Sequence, residues 1–137
     1  MTTVEKIVAE LQNAVTIQER FKVPEKTLHA MLEMKKPEVL IEPILRLIES
    51  HPAVDFGTPG ELVLFLEGLY DCGYEELLIE SVLRNPTPHN IWMLHRCFND
   101  ETDRRHLMYQ KTIEKLRNAE NVPISVKAEI ERYSWNL

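Results

Sequence analysis

The sequence predicts an all-α protein, with about eight short helices stacked as helical hairpins in one domain over residues 1–137. Three observations carry this. Helix-start signals recur along the whole chain, the apolar residues follow helical spacing, and the strict alternation that marks a half-buried strand is missing. The connections between helical segments are short, which favours neighbours packed as antiparallel pairs.

Each helix has its own signal. Thr2 and Glu5 form a capping-box pattern before a first helix carrying Val4, Ile7, Val8, Leu11 and Val15. Pro24 suits the first turn of a second helix with Leu28, Met31 and Leu32 on its apolar side. Pro37 opens a third segment with Leu40, Ile41, Ile44, Leu45 and Ile48, and Pro43 inside it predicts a kink or restart. Thr58-Pro59-Gly60-Glu61 reads as cap, proline at the first position and reciprocating glutamate for a fourth helix running through Tyr70. Gly73 closes that helix, and a fifth spans about Tyr74 to Arg84. Thr87-Pro88 opens a sixth, reaching about Phe98. Asn99 or Asp100 is placed to cap a seventh with Tyr109, Ile113 and Leu116, and Pro123 begins a last one with Val126, Ile130 and Tyr133. The fourth and sixth helices are apolar over most of their circumference, as expected of helices covered on several sides. The terminal helices carry a single apolar stripe, as capping units of a stack do.

Charge is distributed unevenly. The net charge is −6, and the segment 51–85 accounts for it. That segment holds Asp55, Glu61, Glu67, Asp71, Glu75, Glu76 and Glu80 against Arg84 alone. Such a segment repels phosphate backbones and attracts basic proteins, so direct nucleic-acid binding is not expected. No apolar run is long enough to cross a bilayer, and the N-terminal residues do not read as a secretory signal. Only two cysteines occur, Cys72 and Cys97, each among apolar residues, which fits reduced thiols in the cytoplasm.

Catalytic patterns are not found. The five histidines form no metal-ligand pair at helical spacing, and His95 and Cys97 are two residues apart, on different sides of a helix. No glycine-rich phosphate loop occurs among four glycines. Neither an enzyme nor a cofactor is therefore expected. The binding candidates are Asp71, Glu75, Glu76 and Glu80, as an acidic patch for a basic partner, and Trp92. Trp92 falls outside the apolar arc of its helix, beside His89, His95, Arg96 and Asn99, a composition suited to an interface anchor. Glu67 and Arg96 are charges embedded in the two most apolar helices, and their simplest role is a structural ion pair with each other.

Three blocks also carry a family resemblance. They are Gly57-Thr58-Pro59-Gly60-Glu61-Leu62-Val63 with Leu66-Glu67 and Tyr74-Glu75; Ser81-Val82-Leu83-Arg84-Asn85-Pro86-Thr87; and Trp92-Met93-Leu94-His95-Arg96-Cys97-Phe98-Asn99. Over about residues 57–100 the chain resembles the HEAT-repeat-like immunity proteins found beside bacterial polymorphic toxins, including contact-dependent growth-inhibition systems. The resemblance implies a HEAT-like α-solenoid that is not an enzyme and binds one cognate protein toxin in the cytoplasm. Many such toxins are nucleases with basic clefts. Glu67, Trp92, Arg96 and Asn99 match the motif and are assigned mainly to the scaffold. A helical-repeat adaptor binding a cellular partner is the alternative, and an enzyme with its active site in a helical bundle is a distant third.

Overall fold

A computed structural model describes residues 1–16 and 19–136. Among them the protein is all-helical, with eight α-helices, one 3-10 turn and no strand. The helices are α1 (Thr3–Ala14), α2 (Glu25–Leu32), α3 (Ile41–Ser50), α4 (Glu61–Glu67), α5 (Tyr74–Arg84), α6 (Pro88–Phe98), α7 (His106–Asn118) and α8 (Ile124–Glu131). None of them is long and apolar enough to cross a membrane. The chain groups into two compact units, Met1–Tyr74 and Glu75–Leu137.

In the first unit the capping box of α1 forms as the sequence predicts. Thr2 Oγ1 accepts from the Glu5 amide and the Glu5 carboxylate accepts from the Thr2 amide. Helix α1 packs on α2 and α3, and Thr27 Oγ1 donates to Glu10 Oε1 at 2.9 Å to tie α2 to α1. Pro37 starts the 3-10 turn Pro37–Leu40. The restart expected near Pro43 is the change from this 3-10 turn to α3 at Ile41. Helix α3 begins at Ile41, so the proline lies in the first turn, where its missing N–H has no intrahelical acceptor to serve. Ile41, Ile44, Leu45, Leu47 and Ile48 then bury one broad face.

The start of α4 departs from expectation. The helix begins at Glu61 with Gly60 as its cap residue and no side-chain cap bond, so Thr58 does not cap it. The chain folds back tightly just before: a Cβ on Gly60 would lie 1.9 Å from the Phe56 carbonyl oxygen. Glu61 works over a longer range, accepting the Val23 amide at 3.1 Å. The Phe21 amide donates to the Asp55 carbonyl at 2.7 Å, and the Phe21 and Phe56 rings lie 5.2 Å apart. The extended segment before α2 is thus fastened to the turn before α4. Helix α4 is also shorter than its apolar run. It ends at Glu67, residues 68–73 follow in turns, and Leu64 is exposed.

In the second unit α6 packs against α8 and α7, and α7 against α8. Thr87 and Asn90 form the capping box of α6, with Pro88 at its first position. Helix α7 begins at His106, later than a cap at Asn99 or Asp100 would place it. The aspartates of the preceding loop bond locally instead. Asp100 Oδ1 accepts from the amide and hydroxyl of Thr102 at 2.9 and 2.7 Å, and Asp103 Oδ1 accepts the Arg105 amide at 2.9 Å. Such aspartate turns compete with helix propagation, and here they win. After α8 the chain returns across the unit and buries Trp135.

Candidate protein-binding face

The acidic candidates separate by burial. On α5, Leu78, Ile79, Val82 and Ser81 face the core, and Glu75 lies on their side. The Glu75 side chain is 3% exposed and meets the Arg105 guanidinium at 3.4 Å. Arg105 also bonds Asp103 Oδ1 at 3.0 Å, and that side chain is 4% exposed. The Tyr109 hydroxyl donates to the other oxygen of Asp103 at 2.6 Å. Glu75 is therefore an inward, structural carboxylate and not part of the outer surface. Burying it requires a cation alongside, because an ion without one would shed its hydration uncompensated.

Glu76 and Glu80 face outward. Glu76 is 51% exposed even though its Oε2 accepts from Arg105 Nε at 2.6 Å. Glu80 is exposed, as is Arg84 one turn on. Leu83 lies on the same side at i+7 from Glu76 and is 40% exposed. The outward face of α5 is thus two carboxylates leading to an apolar side chain. Leu83 and Arg105 were not among the sequence candidates. A helical projection of α5 contains the signal for Leu83, whereas none exists for Arg105, which comes from a loop about thirty residues on.

Asp71 belongs to the first unit. It is exposed, lies beyond the end of α4 and not on it, and has φ of 63°. That left-handed conformation is one aspartate tolerates better than most residues. Trp92 is half-buried. The Arg96 guanidinium lies 5.1 Å from its ring centroid and the His89 ring lies 5.3 Å away. This is the neighbourhood read from helical spacing, now with a cation over the indole face. Glu67 and Arg96 fall in different units, and their pairing stays an expectation. Among the described residues no group of three or more His, Cys, Asp or Glu side chains is placed to hold a metal ion.

Two tyrosines are held in their neutral form. Burial, and then the hydrogen bond to Asp103, push the Tyr109 hydroxyl far above its ordinary range. Burial and donation to the Glu129 carboxylate push Tyr133 up to about 12. In each case the folded value exceeds the unfolded one near 10. The folded state then retains protons that the unfolded state has lost, so their stabilisation is complete below pH 10 and declines above it. Urea titrations at pH 8, 10 and 11 are expected to give a falling unfolding free energy over the last interval. A Tyr109→Phe/Tyr133→Phe chain should show a flatter decline.

No family model, curated protein or solved structure matches this chain.

Proposed function

We propose that the chain is an immunity protein, which binds a basic toxin domain, a nuclease, and blocks its action through the outward face of α5. The observation that carries this reading is the stripe of Glu76, Glu80 and Leu83, all exposed on one side of one helix. Carboxylates steer a basic partner at long range, and the leucine supplies apolar burial once contact is made. The three blocks resembling HEAT-like immunity proteins, and the excess acid of residues 51–85, support the same reading. In it the helices stack as hairpins and the complex forms in the cytoplasm.

The reading expects a toxin domain to be encoded beside this gene, and the test uses that domain. Co-expression should rescue growth, and Glu76→Lys/Glu80→Lys should slow association about tenfold or more at low salt, with a smaller change in dissociation. The same pair should flatten the salt dependence of the association rate. Trp92→Ala should instead raise the dissociation rate and leave the salt dependence intact. Unchanged association by the folded charge variant would remove α5 from the interface. A lack of rescue by the native chain would favour the adaptor alternative.

A further inference from the structure

We propose that two copies of the chain associate by laying α5 of one antiparallel along α7 of the other. The outward face of α7 carries Met108, Lys111 and Lys115, all exposed, with Met108 at 48%. Its core face is a separate set, Tyr109, Thr112, Ile113 and Leu116. The α5 stripe read backwards is Leu83, Glu80 and Glu76. Both stripes run apolar residue, then a charge three residues on, then a second charge four beyond that. At about 1.5 Å rise per residue each covers roughly 10 Å, so the two are matched in length as well as in order. Antiparallel alignment puts Leu83 on Met108 and Glu80 opposite Lys111, and sets Glu76, whose Oε2 already accepts from Arg105, opposite Lys115.

Parallel alignment would set each apolar residue against a charge. A basic or neutral partner gains nothing from Lys111 and Lys115, whereas a second copy brings the acidic complement already spaced to fit. Each copy offers both halves of the contact. The inference rests on these two stripes and not on the toxin reading. Because the contact covers Glu76 and Glu80, a partner using α5 would compete with self-association.

Sedimentation equilibrium of the full chain without any partner tests this. The native protein should self-associate at low salt, with a dissociation constant that rises with ionic strength. Lys111→Glu/Lys115→Glu and Glu76→Lys/Glu80→Lys should each weaken association about tenfold or more, since pairs become like-charge contacts. Mixing the two charge-reversed chains should restore association, because each then presents the stripe that the other lacks. If circular dichroism shows that a double variant is not folded, the single swaps Glu80→Lys and Lys111→Glu serve the same test. A native chain that stays monomeric at millimolar concentration and low salt overturns the proposal. So does a mixture of folded reversed variants that does not associate.

Discussion

An Arg105→Ala chain is expected to lose about 3–5 kcal/mol of unfolding free energy, the usual cost of removing one partner from a buried ion pair. The Arg105 side chain is 13% exposed and bonds two carboxylates that are almost wholly enclosed, Glu75 and Asp103. Without the guanidinium both would stay in a region of low polarity with their negative charges close together. Arg105→Lys should be intermediate, because an ammonium keeps the charge but not the fork that reaches Glu75, Glu76 and Asp103 together. Urea unfolding at pH 7 measures both effects. A loss under 1 kcal/mol at pH 7 would mean that the carboxylates are held by other contacts. Glu76→Gln should cost far less, since Glu76 is half in solvent.

What was legible in the sequence was local. The capping box at Thr2 and the helix start at Thr87-Pro88 depend on residues close in the chain, and both formed. The outward placement of Glu76, Glu80 and Arg84 and the flank of Trp92 follow from the 3.6-residue period alone. The misreadings share a cause: a residue with a good local role had another partner. Glu61 fits the reciprocal place in a capping box, yet its carboxylate holds the amide of Val23, from a segment with no helical pattern. Asp100 is a good cap residue, but Thr102 engages it first. Glu75 belongs by count to the acidic segment, yet it is buried and meets Arg105, a residue about thirty positions on. Charge counted along a chain therefore overstates charge on a surface. Here it included one carboxylate that is inside the fold.

The second large effect is expected at Trp135, a residue with no helical pattern to flag it. Trp135→Ala should destabilise the protein by about 3–5 kcal/mol, the range for deleting a large buried aromatic side chain. The indole is 4% exposed and its ring lies 4.8 Å from His95 and 5.5 Å from Phe98. Its Nε1 donates to the Ile130 carbonyl at 3.0 Å, stitching the tail to the end of α8. Two further bonds fasten the backbone around it: Gln110 Nε2 donates to the Trp135 carbonyl at 2.8 Å, and the His95 ring meets the Ser134 carbonyl at 2.9 Å. A carbonyl only accepts, so His95 Nε2 must carry the proton, which leaves Nδ1 to accept from Asn99 Nδ2 at 3.4 Å. The tail is thus bonded to α6, α7 and α8. Three variants separate the contributions. Trp135→Phe keeps most of the apolar burial and loses the indole donor, so about 1–2 kcal/mol is expected. Gln110→Ala removes one bond at a half-exposed site and should cost about 1 kcal/mol. Trp135→Ala should exceed both, because the cavity adds to the lost transfer energy. If guanidinium unfolding ranks the three equally, the ring is not packed as described, and the tail is held by its backbone bonds alone.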